Sequence, residues 1–263
     1  MKTNTKKFEE NILKKSIEVE GISIKGYDFN KVVHFEELID SFVSTGFQAS
    51  HLAKAIEITR EMRKKKAYIY LGYTSNMVSS GLRDIFRYLA EHRLVDVIVS
   101  SAGGIEEDFI KCLGDFKLGS FSADGTKLRE KGINRIGNIF VPNSRYVQFE
   151  KFILPVLEKH KNDKDLTPSK LIKIMGEEIG KMQKGKESIY YHCAKNNIPV
   201  FCPAIMDGSL GDMIYFFKTK NPDFKLEITQ DTIQLNNTSA GKDKTGMIIL
   251  GSGVIKHAIC NAN

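Results

Sequence analysis

The stretch Pro203-Ala204-Ile205-Met206-Asp207-Gly208-Ser209-Leu210-Gly211-Asp212 joins two patterns of different period. Before it, Ile198 to Phe201 is an apolar run with the length of a short buried strand. Pro199 weakens that assignment, because proline cannot donate to a ladder. After it, Leu210, Met213, Ile214 and Phe217 are spaced as one face of a helix. Asp-Gly-Ser at the junction supplies a turn and a helix N-cap. Asp207 and Asp212 then sit near the carboxyl end of a strand, where open α/β sheets bind ligands. A capped turn with a solvated aspartate is an equally open reading.

The same strand, loop and helix pattern recurs on either side. Ala67 to Gly72 reads as a buried strand, followed by Thr74-Ser75-Asn76-Met77-Val78-Ser79-Ser80-Gly81 and a helix face of Leu82, Ile85, Phe86 and Leu89. Val95 to Val99 is a second strand, running into Ser100-Ser101-Ala102-Gly103-Gly104 and the acidic triplet Glu106-Glu107-Asp108. Gly246 to Leu250 is a further strand, ending in Gly251-Ser252-Gly253 and a helix that opens with Val254, Ile255, His257 and Ala258. Alternating strands and helices predict an α/β protein with a Rossmann-like, doubly wound, mostly parallel sheet. A helix N-terminus after a polar loop suits an anion such as a pyrophosphate, but equally suits a cap with no ligand. The lone Gly-x-Gly is a weak dinucleotide signal, because the full fingerprint is absent.

Residues 1–35 read as a polar N-terminal arm with an amphipathic piece near Phe8, Ile12 and Leu13, and residues 36–263 as one domain. A helical pattern runs from Glu36 to about Arg63 with a break near Gly46, and Leu52, Ala55, Ile56 and Thr59 share a face. Residues 114–148 read as an irregular excursion with one strand at Ile139 to Val141. Phe149, Phe152, Ile153, Val156 and Leu157 form a helix stripe. Thr167 and Pro168 cap and start the next helix, with Leu171, Ile172, Met175, Ile179 and Met182 along it. The region after Lys218 reads as strand and loop to Lys244.

The 263 residues are 41% apolar and 27% charged, as in an ordinary globular protein, and no run has the length of a membrane span. Met1 to Lys15 has no apolar core and carries Glu9 and Glu10, so it reads as neither a secretory signal nor a transit peptide. Cys112, Cys193, Cys202 and Cys260 form no Cys-x-x-Cys pair, which argues for reduced thiols in the cytoplasm and against zinc. The six histidines show no metal-binding spacing. The net charge is +7, with one tight run at Lys64-Lys65-Lys66. That run suits a solvated helix end, and no aromatic-rich motif accompanies it to suggest nucleic acid.

Taken together, the stretches Thr74 to Gly81, Ser101 to Asp108, Pro203 to Asp212 and Gly246 to Asn263 resemble deoxyhypusine synthase, over roughly residue 65 to the end. The resemblance implies a homotetramer with a Rossmann-like NAD site. It implies transfer of the aminobutyl group of spermidine to one lysine of the translation factor 5A precursor. NAD first accepts a hydride, an enzyme lysine holds the aminobutyl group as an imine, and the hydride returns at the end. By motif match, Ser75, Asn76, Met77, Val78, Ser79, Ser101, Ala102, Gly103, Glu107, Asp207 and Ser252 contact NAD. Glu106, Glu107 and Asp212 hold the ammonium groups of spermidine, and a chain of charge +7 needs such local carboxylates to bind a polycation. His257 touches spermidine and is the acid/base candidate, histidine being the side chain whose charge changes near neutral pH. A surface histidine at a helix start is the alternative.

Ser101 and Ser252 stand where the family more often has Thr and Gly. The family's catalytic lysine lies in a Gly-Lys segment beyond the Asn-Ala-Asn stretch, near a tryptophan. This sequence ends at Asn263, has no Trp, and Lys256 occupies a different family position. The expectation is therefore an enzyme acting with a separate C-terminal fragment that carries the lysine. A C-terminal asparagine would suit a cleavage product. A non-catalytic regulatory paralogue and an NAD-binding scaffold are the competing readings.

Overall fold

The computed structural model describes residues 2–14 and 16–263, and for residues 2–4 the backbone alone. The chain divides into two compact units, Met1–Arg63 and Lys64–Asn263. Each is described by itself.

The first unit contains α1 (Lys2–Ile12), α2 (Phe35–Asp40), α3 (Phe42–Thr45) and α4 (Phe47–Lys64). Gly46, at φ +93°, separates α3 from α4, as the break in the pattern predicts. Lys25 and Ser44 exchange main-chain and hydroxyl hydrogen bonds of 2.9 and 2.7 Å, tying the extended segment to α3. On α4 the buried residue is Ala53, whereas Leu52 of the expected stripe is half exposed.

The second unit is built on four parallel strands. β1 (Tyr68–Tyr73), β2 (Val97–Ser100), β6 (Val200–Phe201) and β7 (Thr245–Leu250) lie in the order β6-β2-β1-β7. β6 is a two-residue edge strand. Pro199 stands just before it, with its carbonyl accepting from Ile98 N at 3.0 Å, so the missing donor costs the ladder nothing. The chain moves outward from β1 through β2 to β6, then returns to the far side of β1 as β7. This reversal leaves the carboxyl ends of β1 and β7 side by side, the position at which open sheets carry their ligand crevice.

Both sheet faces are covered, because residues along each strand alternate in direction. Tyr70, Val97, Val99 and Phe201 pack with Leu235 of α13 (Thr229–Asn237) and with Ile255, Ile259 and Ala262 of α14 (Val254–Ala262). On the other face, Tyr73 stacks on Phe86 of α6 (Leu82–Glu91) at 4.3 Å and meets the Tyr190 hydroxyl of α11 (Ile189–Asn196) at 3.1 Å. The Rossmann-like α/β arrangement expected from the sequence is therefore present. The same face carries a buried arginine, Arg83, where the sequence pattern favours Ile85, which is half exposed.

Two expectations are corrected. The 114–148 excursion holds β3 (Lys117–Leu118), α8 (Gly125–Glu130), β4 (Ile133–Ile136) and β5 (Ile139–Pro142), and the strands form an antiparallel sheet of order β3-β5-β4. The region expected as strand and loop up to Lys244 contains α13. Its polar sequence has a structural cause: the Asp231 carboxylate is buried and accepts from Ser169 N at 2.7 Å and Ser169 Oγ at 2.6 Å. It caps α10 (Pro168–Ile179), whose own Thr167 cap and leading proline are as expected. The stripe of α9 (Asn143–His160) is fully buried from Phe149 to Leu157 at the five predicted positions.

Gly72 explains how closely α14 approaches β1. A Cβ at Gly72 would lie 2.6 Å from Ile259 Cδ1 and 3.1 Å from Ile255 Cγ2. Gly72→Val is expected to destabilise the domain by about 1–3 kcal/mol through overpacking. Adding Ile259→Ala should recover part of that loss in urea unfolding. Equal midpoints for wild type and Gly72→Val would refute this packing account.

Candidate active site

The site-forming helix is α7 (Ala102–Leu113), which follows β2. Its N-cap is Ser101, whose Oγ accepts from Gly104 N at 3.4 Å. Gly103 faces α5 (Ser75–Ser79), the short helix after β1, and a Cβ there would lie 2.7 Å from Ser75 Cβ. Gly103 therefore lets the two strand-end loops come together. On the neighbouring strand, Gly251 and Gly253 take positive φ angles of +111° and +72°, and a Cβ on Gly251 would lie 2.8 Å from Thr74 Cγ2. Ser252 is thus carried on a tight turn against the loop that begins α5.

Successive residues on a helix point about 100° apart, so three neighbouring carboxylates reach three different partners. Glu106, Glu107 and Asp108 are all buried. Glu106 Oε2 accepts from Leu210 N at 2.6 Å, at the start of α12 (Ser209–Lys220). Glu107 accepts a short hydrogen bond from the Ser79 hydroxyl. Asp108 pairs with Arg83 Nε at 2.7 Å, and accepts from Ser188 Oγ at 2.5 Å and Ile189 N at 3.1 Å, capping α11. Asp108 is therefore structural, and breaking a buried pair of this kind typically costs about 3–5 kcal/mol.

The Asp-Gly-Ser turn does not cap α12 as expected. Its N-cap is Gly208, with no side-chain cap, and the carboxylate of Glu106 takes that role from another helix. Asp207 and Asp212 are exposed. Asp212, in the first turn of α12, is close enough to raise the Glu106 pKa, although burial is the larger cause and the bonds from Leu210 and Ser209 oppose it. Burial pushes Glu107 up to about 7; the like charge of Glu106 adds to this, while Ser79 and Lys111 counter it.

Ser75, Ser79, Gly103, Glu106 and Glu107 therefore form one cluster, with Asp212 beside it. Asn76 is exposed and accepts from Thr74 Oγ1 at 2.7 Å. His257 is placed differently. It is exposed on α14 and lines a cavity of about 350 Å³ with Cys202, Pro203, Asp231, Asn236 and Asn261. Neither glutamate of the pair nor Asp212 lines that cavity.

Sequence reasoning missed Lys111, whose Nζ donates to the carbonyls of Val78, Ser79 and Ser80 at 2.9, 2.9 and 3.0 Å. Its position four residues after Glu107 was the available signal. It also missed Tyr146 of α9. The Tyr146 phenol pKa is raised by burial and then by Glu107 and Glu106, and no periodicity marks this residue.

A carboxyl group raised from 4.5 to about 7 binds its proton more tightly in the folded state. Its contribution to stability is full below pH 4.5 and is lost as pH rises through 7, by about 3 kcal/mol. Glu107→Gln should therefore gain stability relative to wild type between pH 4.5 and 8. Urea unfolding of both proteins at a series of pH values checks this, and parallel curves would contradict it.

Residues 37–263 match the family model for deoxyhypusine synthase. A Drosophila melanogaster protein described as a probable deoxyhypusine synthase is 48% identical over 268 residues, covering 91% of this chain and 72% of its own length. The Senecio vernalis deoxyhypusine synthase is 47% identical, covering 96% of this chain and 76% of its own. A crystal structure from Entamoeba histolytica assigned to deoxyhypusine synthase superposes with a TM-score of 0.67 at 37% identity, over 89% of this chain and 81% of that one. A match of this extent, on a parallel sheet whose strand ends carry a buried carboxylate pair, places the chain in the deoxyhypusine synthase family.

Proposed function

We propose that this chain takes part in NAD-dependent transfer of the aminobutyl group of spermidine to a lysine of the translation factor 5A precursor. The observation that carries this reading is the buried pair Glu106 and Glu107, in a chain of net charge +7. A polycation is attracted by few parts of such a surface, and a desolvated carboxylate pair supplies the local exception.

The residues fit NAD on one structural ground. Ala102 and Gly103 lie in the first turn of α7, after Ser101 at the carboxyl end of β2, and Gly103 brings the hydroxyl-bearing α5 against that turn. A helix N-terminus flanked by small and hydroxyl residues is a donor set suited to a pyrophosphate. Ser75, Asn76, Met77, Val78, Ser79, Ser101, Ala102, Gly103, Glu107, Asp207 and Ser252 are proposed to hold it. NAD, when bound, supplies the hydride acceptor and donor. Glu106, Glu107 and Asp212 then hold the substrate ammonium groups, and Glu107 releases its proton to become the counter-ion. His257 is proposed to move a proton at a substrate nitrogen.

The lysine that α7 brings to this cluster, Lys111, is committed to three carbonyls. By the family resemblance, the amine that holds the aminobutyl group is proposed to come from another segment, a C-terminal fragment of the same protein, within a cytoplasmic homotetramer. The N-terminal residues 1–35 are proposed to be an arm outside the NAD-binding domain. No helix among the described residues is long and apolar enough to cross a membrane.

Isothermal calorimetry with spermidine tests the reading. At pH 6 Glu107 is largely protonated, so spermidine binding should release a proton and its heat should depend on the buffer's ionisation enthalpy. Glu107→Gln should weaken spermidine by about 2–5 kcal/mol. Asp212→Asn, at an exposed position, should cost about 1 kcal/mol and leave NAD affinity unchanged. Buffer-independent heats together with unchanged affinity in Glu107→Gln would overturn the assignment.

A further inference from the structure

α5 has only five residues, too few to hold a helical conformation unaided. Its carboxyl end is gripped from outside. The Lys111 ammonium has three donors, and all three go to consecutive carbonyls, those of Val78, Ser79 and Ser80. Lys111 and Glu107 are four residues apart, on one face of α7. The same α7 face thus holds Ser79 twice, by its carbonyl through Lys111 and by its hydroxyl through Glu107.

We propose that Lys111 is a positioning residue of the carboxylate pair: by fixing the 78–80 carbonyls it sets the Ser79 hydroxyl on Glu107 and readies that carboxylate for a cationic ligand. The ligand part of this inference rests on the function proposed above; the positioning part does not. Two effects act in the same direction. The fixed hydroxyl donates to the ionised carboxylate, and the ammonium lies one helical turn away from it. Glu107 is also faced by Glu106 on α7 and by Tyr146 on α9, and Asp212 on α12 acts on Glu106. Lys111 in turn is faced by Arg83 and Asp84 of α6 and by Asp108. Replacing Lys111 leaves all of these in place, so a change in Glu107 reports on Lys111 itself.

The test follows the Glu107 side-chain carbonyl by carbon-13 NMR in ligand-free, glutamate-labelled protein, with the resonance identified by its loss in Glu107→Gln. In Lys111→Met and Lys111→Gln, the titration midpoint should move up by about one pH unit relative to wild type. Lys111→Arg, which keeps the charge and donors, should bring it back toward wild type. The pH profile of spermidine affinity should shift by the same amount, whereas a purely structural role would lower affinity equally at every pH. An unmoved midpoint in folded Lys111→Met or Lys111→Gln overturns the proposal. So does failure of both to fold while Lys111→Arg folds, since that outcome assigns the residue to stability alone. Absence of spermidine binding to the wild-type protein would overturn the proposed function and leave the titration result standing.

Discussion

Three adjacent carboxylates on one turn of α7 have been taken out of water, and each has had to find a partner. Because they point in different directions, their partners lie on different elements. Glu106 takes the amino end of α12, Glu107 the hydroxyl at the end of α5, and Asp108 the guanidinium of α6 and the amino end of α11. One helical turn therefore fixes four elements around the carboxyl ends of β1 and β2. The arrangement leaves Asp108 and Glu106 with main-chain N–H donors. Burial raises the Glu107 carboxyl group to about 7, with the like charge of Glu106 adding to it, because a single hydroxyl and an ammonium one helical turn away offset that only in part.

That difference links fold to chemistry. A carboxylate satisfied by helix N–H groups and an arginine is part of the frame. One held by a serine hydroxyl, close to a second glutamate, is poised between its charged and neutral forms. A bound cation would tip it to the charged form, and below pH 7 release of the proton would offset part of the attraction. The frame itself depends on close approach elsewhere. Gly72 admits α14 against β1, and Gly103 admits α7 against α5, so the strand-end loops converge on one region.

The alternation of strands and helices was legible in the sequence because buried parallel strands read as apolar runs, and helices carry their 3.6-residue stripes. The α9 stripe and the Thr167–Pro168 start of α10 needed no tertiary information. The loop motifs were legible too, as ordered strings of small residues and carboxylates. On α9 the local apolar signal was sufficient, whereas Leu52 and Ile85 hold stripe positions and are half exposed. α13 escaped this reading because its one buried apolar residue, Leu235, leaves too little stripe to detect, and its buried Asp231 serves another helix.

What the sequence alone determined is the fold class, the family motifs and the carboxylates within them. What only the tertiary structure decided is which carboxylate does what. Asp-Gly-Ser has the residues of a cap, yet the cap of α12 comes from Glu106, about a hundred residues earlier in the chain. Glu106, Glu107 and Asp108 look equivalent as letters, and no spacing shows that His257 lines a cavity which none of the three lines. The physical reason is that a charge's role is set by burial and by donors brought from distant segments. Neither quantity has a period or a spacing along the chain.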